Sequence, residues 1–242
     1  NNHVLGRHLL LGQWQAFLDA MLGEPIDDES EPARAARQAY EDGDLARALQ
    51  LWPTVHRFER QAIGPLSRGA SPEDAINGID ATQRSLLISS FQSAIFNRVI
   101  DRRLRETKFR TILPGDVAFE HETRRIFSVY EPAEVQPRYD AGEVSPTGPM
   151  WGPKMKRAKG EVDAIDREAL EEAGVSLDDL STGEYQPDGL RRALRMLIRD
   201  PDVAAGVDEH GNYVKVRFEL PRGCFATTAL REIMKDGESA SQ

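Results

Sequence analysis

The sequence predicts an α+β chain: a mainly helical body with one small hairpin, followed by a strand and a helix that belong to an antiparallel sheet. Three observations predict it. Apolar residues recur every three or four positions through most of residues 3–105, the period of amphipathic helices. Residues 213–220 alternate strictly, with Val214, Val216, Phe218 and Leu220 on one face and Lys215, Arg217 and Glu219 on the other, the pattern of a half-buried strand. The remaining strand candidates, residues 116–119 and 125–130, are too short to build that strand a sheet.

Leu10, Trp14, Phe17, Leu18 and Met21 put a helical stripe on residues 3–22. After an acidic stretch, helices are expected at residues 31–43 and 44–52, the second capped by Asp44 and stopped by Pro53. Ser71 and Pro72 form a helix start. A long helix follows over residues 82–105, with Leu87, Phe91, Ile95 and Val99 as its buried stripe and Ser89, Ser93 and Asn97 as a polar line beside it. Beyond it come a hairpin at 116–130, a Pro/Gly-rich loop at 143–155, an acidic helix at 163–174 and a last helix near 190–198. The alternating strand then leads through a sharp turn at Gly223 into a helix start at residues 224–227. The chain opens without methionine on a helical pattern, and its lone strand needs neighbours. It is therefore expected to be a piece of a larger protein whose sheet partners lie upstream of Asn1.

With 40% hydrophobic and 29% charged residues, the 242-residue chain is neither disordered, collagenous nor disulfide-stapled. No apolar run approaches the roughly eighteen residues of a membrane span, so no membrane partner is expected. A single cysteine, Cys224, excludes an internal disulfide and makes the cytoplasm the expected compartment. The net charge of −9 is local: residues 161–188 hold ten acids and one base, leaving the remainder neutral. Bases cluster in that remainder at residues 98–110, 154–159 and 191–199, so the overall sign does not exclude a polyanionic partner.

Arg98 and Arg102 after the polar line of the long helix could hold phosphate, or simply solvate a helix end. Lys154, Lys156 and Arg157 follow a rigid loop bearing Trp151, a combination able to hold an RNA backbone and an unstacked base; a plain surface loop is the alternative. The turn at Gly223 and the amides from Cys224 to Thr227 could face an anion or a carboxylate, or be ordinary strand-to-helix architecture. The five histidines lack metal-ligand spacing, and phosphate-cradling glycine motifs and nucleophile elbows are absent.

Three segments, in order, resemble one family. Ser85-Leu-Leu-Ile-Ser-Ser-Phe-Gln-Ser-Ala-Ile-Phe-Asn97 is similar to its conserved helix and Ser145-Pro-Thr-Gly-Pro-Met-Trp-Gly-Pro-Lys-Met155 to its Pro/Gly loop. Leu220-Pro-Arg-Gly-Cys-Phe-Ala-Thr-Thr-Ala-Leu-Arg-Glu232 is similar to its carboxy-terminal motif. The family is TruD, the transfer RNA pseudouridine synthases, and the likeness runs from Asn1 to about Asp236. It implies a catalytic domain on an antiparallel pseudouridine-synthase sheet, interrupted by a helical insertion. Residues 1–199 would be mainly the insertion and residues 200–242 the return into the catalytic domain. It implies a tRNA partner, isomerisation of a D-arm uridine, and neither metal nor cofactor.

The resemblance also suggests which residues line or brace the site: Ser93, Asn97, Gly223, Phe225, Ala226, Thr227 and Arg231. The family's catalytic aspartate sits in a Gly-x-Lys-Asp-x-x-Ala-x-Thr-x-Gln motif, and nothing in the chain matches it. Asp80, in Gly78-Ile-Asp-Ala-Thr-Gln83, lacks the lysine and the spacing and reads as a helix cap. The catalytic group is expected upstream of Asn1, so this chain alone is expected to be inactive. The alternatives are a non-catalytic RNA-binding module and a helical protein-interaction domain.

Overall fold

Residues 3–22 carry one helical pattern but fold as two helices, α1 (Asn2–Leu10) and α2 (Trp14–Leu22), in the computed structural model. The break is at Gly12, whose φ of +63° is left-handed backbone that glycine adopts at little cost. The structure describes residues 1–26, 28–182, 184–221 and 224–234. α3 (Glu31–Glu41) and α4 (Leu45–Leu51) form where expected, and Asp44 caps α4 by accepting from the Arg47 N–H at 3.0 Å. α5 (Arg57–Leu66) adds to the expected set. α6 (Pro72–Asn77) begins at Ser71, whose hydroxyl accepts from the Asp74 N–H.

The long central helix is α7 (Ala81–Arg105), capped by Asp80, which accepts from the N–H groups of Thr82 and Gln83 at 2.9 and 3.3 Å. Its expected stripe is buried. Leu87 joins the core of the preceding helices with Leu9, Phe17, Leu18, Ile63 and Ile76. Phe91, Ile95 and Val99 join a second core with Trp151, Ile165 and Leu170, so α7 holds both halves of the body together. α1 approaches α7 closely because Gly6 has no side chain; a Cβ there would overlap the carbonyl of Leu87. Gly6→Ala is expected to lower stability by about 1–3 kcal/mol in denaturant unfolding, through overpacking. Helix propensity alone would raise it by about 1 kcal/mol, so an unchanged or raised midpoint would contradict this account.

β1 (Val117–Glu120) and β2 (Ile126–Ser128) make the expected hairpin, with Ala118 opposite Phe127, and α8 (Pro132–Asp140) follows. The expected Pro/Gly loop over residues 143–155 is a different element. It contains β3 (Val144–Met150), buried along its whole length and central in a sheet of order β2-β1-β3-β4, where β4 is Leu190–Ala193. Pro146 and Pro149 cannot donate to a ladder and so argue against a central strand. Their fixed φ nevertheless suits extended backbone, and the Pro146 carbonyl accepts from the Leu194 N–H at 2.9 Å. α9 (Gly160–Glu171) and the short α10 (Asp179–Thr182) connect β3 to β4.

The helix expected near residues 190–198 is corrected to β4 and a turn. Arg191, Arg195 and Arg199 sit four apart and imitate a helix face, but Arg191 is buried while its neighbour Leu190 is exposed, as strand alternation requires. The lone strand is corrected in part: it lies in β6 (Gly211–Glu219), which pairs antiparallel with β5 (Arg199–Asp208), so one of its edges finds a partner within the chain. β5 has no alternating pattern, and the register shifts between Arg199 and Asp202, around Pro201. This two-stranded sheet remains open, with Val203, Val207 and Val214 each about two-thirds or more exposed (67%, 75% and 68%). α11 (Ala226–Met234) ends the described chain. Among the described residues, no helix is long and apolar enough to cross a membrane.

Candidate nucleic-acid interface

The polar line of α7 faces an open cleft of about 850 Å³. Ser89, Ser93 and Asn97 form one side; Asn2 and His3 of α1, Met150 at the end of β3, and Leu190 and Arg192 of β4 form others; Phe225, just before α11, closes it. Three candidates from distant parts of the sequence, Ser93, Asn97 and Phe225, thus meet in one place. The polar line is not buried, as its place beside the apolar stripe implied, but half-buried to exposed. The Ser93 hydroxyl is already engaged, donating to the Ser89 carbonyl at 2.8 Å, whereas the Asn97 amide is exposed to the cleft. Among the described residues Phe225 is 70% exposed, an unusual position for an aromatic ring. Ala226, Thr227 and Arg231 are exposed on α11 and do not line the cleft, and Gly223 lies outside the described residues.

Gln92, not a member of the polar line, makes the link from α7 to the neighbouring backbone: its amide donates to the Trp151 carbonyl at 2.6 Å, just past the end of β3. A glutamine inside an apolar stripe is the sequence signal for it. Trp151 itself is 1% exposed, which removes it as a stacking platform for an RNA base. Arg157 lies over the Trp151 ring at 5.0 Å and pairs with Asp163 at 2.7 Å, while Lys154 pairs with Asp188 at 2.8 Å. Lys156 is exposed and, among the described residues, has no ion-pair partner. Arg98 and Arg102 share a recess of about 340 Å³ with Arg105 and Glu172.

Arg102 pairs with Glu106 at 2.9 Å and with Glu168 of α9, and these carboxylates hold its pKa above the ordinary value, Glu168 first. Lys108 pairs with Glu161 of α9 at 2.6 Å. The acidic helix therefore supplies counter-charges to both basic clusters, and a phosphate must compete with them.

Beneath the cleft, β3, β4 and α9 are locked by buried charge. Arg191 donates to Asp166 at 2.6 Å, to the Thr147 hydroxyl at 3.0 Å and to the Thr147 carbonyl at 2.7 Å. Arg103 of α7 pairs with Asp116, which also accepts from the Leu113 N–H at 2.8 Å. Burial pushes both aspartates above the ordinary carboxylate range, against the pull of the two arginines. Because Arg191 points inward, its neighbours Leu190 and Arg192 are turned toward the cleft. Arg192 also lies over the Phe96 ring at 5.3 Å. The lining residues Asn2, His3 and Arg192 carry no individual signal in the sequence; only the basic run around Arg192 points to that region.

The cleft holds an amide, hydroxyls, a guanidinium and an exposed aromatic ring, the donor and stacking groups that recognise an unstacked base. Among the described residues, no carboxylate lines it, and no group of three or more His, Cys, Asp or Glu could hold a metal ion. The family model for tRNA pseudouridine synthase D (TruD) matches residues 1–233. The tRNA pseudouridine synthase D of Geobacter sulfurreducens is 35% identical over 239 residues, covering 97% of this chain and 57% of that protein. Its counterpart from Geobacter metallireducens is 36% identical over 239 residues, covering 98% and 58%. A crystal structure from Methanosarcina mazei, assigned to TruD, superposes with a TM-score of 0.82 at 24% identity, over 97% of this chain and 57% of that one, and so shares the fold. The chain spans 57% to 58% of the length of these relatives, and with a family match that runs almost from end to end it belongs to the TruD family of tRNA pseudouridine synthases.

Proposed function

We propose that this chain is the RNA-gripping and site-bracing part of a tRNA pseudouridine synthase that isomerises a D-arm uridine to pseudouridine. The observation that carries the proposal is the cleft in which Ser93, Asn97 and Phe225 meet. A uridine must leave its stack before C1′ and C5 are reachable. Phe225 offers a ring face for the extruded base, and the Asn97 amide offers both a donor and an acceptor to the uracil edge. The reaction breaks the bond from C1′ to N1 and forms one from C1′ to C5 after the uracil rotates. Attack on C1′ and proton abstraction from the sugar each need a carboxylate. The cleft has none among the described residues, so the group comes from the part upstream of Asn1.

Residues 1–199 act as the insertion and residues 200–242 as the return into the catalytic domain. The division is supported by the strand pairing: β4 is the last strand joined to the β2-β1-β3 sheet, and β5, starting at Arg199, pairs only with β6 among the described residues. The open faces of that pair suit coverage by the upstream catalytic part, the second partner besides tRNA. Arg98, Arg102, Lys154, Lys156 and Arg157 hold the RNA backbone, and Ala226, Thr227 and Arg231 of α11 brace the site from beside the cleft.

RNA binding tests the proposal. Replacing Lys154, Lys156 and Arg157 by glutamine should weaken binding of unrelated RNA sequences alike, and flatten log K against log[salt] by about 0.7–0.9 for each phosphate no longer neutralised. Unchanged affinity and slope would reject the role of this segment. Absence of any salt-dependent RNA binding by the unaltered chain would favour a helical protein-interaction domain.

A further inference from the structure

A second pocket, of about 530 Å³, lies between the β1–β2 turn and the root of the β5–β6 hairpin. Its apolar surface comes from Phe119, Leu197, Leu220 and Pro221, and its polar groups are His121, Glu122, Arg124, Arg199 and Glu219. Two arginines and two glutamates surround one cavity, yet among the described residues none of the four is in an ion pair. Between α7 and α9, by contrast, facing charges are paired, Arg102 with Glu168 and Lys108 with Glu161. Four unspent charges of both signs around an apolar cavity suit a flat ligand that presents donors on one edge and acceptors on another.

His121 adds an aromatic ring to this set. The buried Ser145 hydroxyl accepts from Arg195 Nε at 2.9 Å and meets His121 Nε2 at 2.8 Å. Arg195 can only donate, so the serine oxygen spends one of its two lone pairs on the guanidinium and keeps its proton and its other lone pair for His121. Burial, Arg195 and Arg199 all push the His121 pKa down, which keeps the ring neutral at pH 7. It packs edge-to-face on Phe119 at 5.3 Å between centroids, so the cavity wall there is aromatic rather than cationic. Arg124 carries a φ of +60°, a conformation that glycine or asparagine adopts more easily, so its side chain stands in the turn at a backbone cost.

Guanine matches this arrangement. Its N1–H and N2–H₂ form a parallel pair of donors for a carboxylate, and its O6 and N7 form a pair of acceptors for a guanidinium. A bare phosphate would use the arginines but leave Glu122 and Glu219 facing it with like charge. We propose that this pocket is a second RNA subsite, separate from the Ser93–Asn97–Phe225 cleft, that takes an unstacked guanine base. The proposal rests on the reading of the chain as a tRNA-binding part.

The test is a titration of the 242-residue chain with GMP, AMP, CMP, UMP and ribose 5-phosphate, read from the His121 imidazole resonances. GMP is expected to shift them and to bind more tightly than the other nucleotides by about fivefold or more, the discrimination of one bidentate pair. Glu122→Gln with Glu219→Gln should abolish that preference. Arg124→Gly should weaken GMP while leaving the turn at least as stable, since glycine accepts the positive φ, so a loss of binding there cannot be ascribed to unfolding. Equal responses to all five compounds, a response to ribose 5-phosphate as strong as to GMP, or no response at His121 would each overturn the proposal. tRNA binding by the unaltered chain, measured alongside, reports separately on the reading it rests on: tRNA bound without a GMP response refutes the guanine pocket alone.

Discussion

Offered an unmodified tRNA under multiple-turnover conditions, the 242-residue chain alone is expected to yield no pseudouridine, and the same chain joined to its upstream part is expected to restore turnover. The difference is that between an enzyme and no enzyme, a factor of about a million or more. The expectation has two independent grounds. No segment matches the Lys-Asp motif, and the cleft that gathers the expected site residues is lined, among the described residues, by amides, hydroxyls, a histidine, an arginine and apolar groups without a carboxylate. The most motif-like aspartate, Asp80, is occupied at the start of α7, where it accepts two backbone N–H groups. Multiple turnover by the chain alone would refute the expectation, and Asp80→Ala would then be the next variant to assay.

The sequence carries the helices of this fold more faithfully than its strands, for a physical reason. A helix announces itself through neighbours three and four residues away, so the α7 stripe and the Asp44, Ser71 and Asp80 caps are legible locally. A strand is defined by the strands beside it. β3 is extended because β1 and β4 flank it, although its prolines argue against a central strand, and β5 forms because β6 presents an edge to it. The same distinction governs the site. Ser93 and Asn97 stand out by their helical spacing and Phe225 by its motif, whereas Arg192 reaches the cleft only because Arg191 beside it is drawn into the interior. A tryptophan in a Pro/Gly-rich segment looks exposed from sequence, and only tertiary packing buries Trp151.

That inward arginine leads to the second large effect. Asp166→Asn is expected to destabilise the chain by about 3–5 kcal/mol, because Arg191 would remain buried as an uncompensated cation that cannot lose its proton. Both side chains are essentially inaccessible, at 0% and 1% exposure; Arg191 bonds Asp166 Oδ2, and Oδ1 has no partner among the described residues, so little solvent relaxation softens the loss. Arg191→Met should cost a comparable amount at pH 8 but less at pH 5, because the stranded Asp166 can take up a proton. Its folded pKa is already raised by burial and would rise further without the arginine. A carboxyl raised above its unfolded value stabilises fully below that value, and the contribution is lost as pH rises through the folded one. Between the two the slope is about 1.4 kcal/mol per pH unit. Chemical denaturation at pH 5 and pH 8 should therefore show a smaller penalty for Arg191→Met at pH 5 than at pH 8, and equal penalties at the two pH values would mean that Asp166 does not bear the buried charge. The double variant Asp166→Leu, Arg191→Met should recover most of either loss, since a buried pair replaced by apolar groups of similar volume is close to neutral. The site should register the change even where stability is recovered. Without the anchor at Arg191, β4 no longer has a fixed reason to turn Arg192 toward the cleft, so RNA affinity should fall in the double variant although the fold survives.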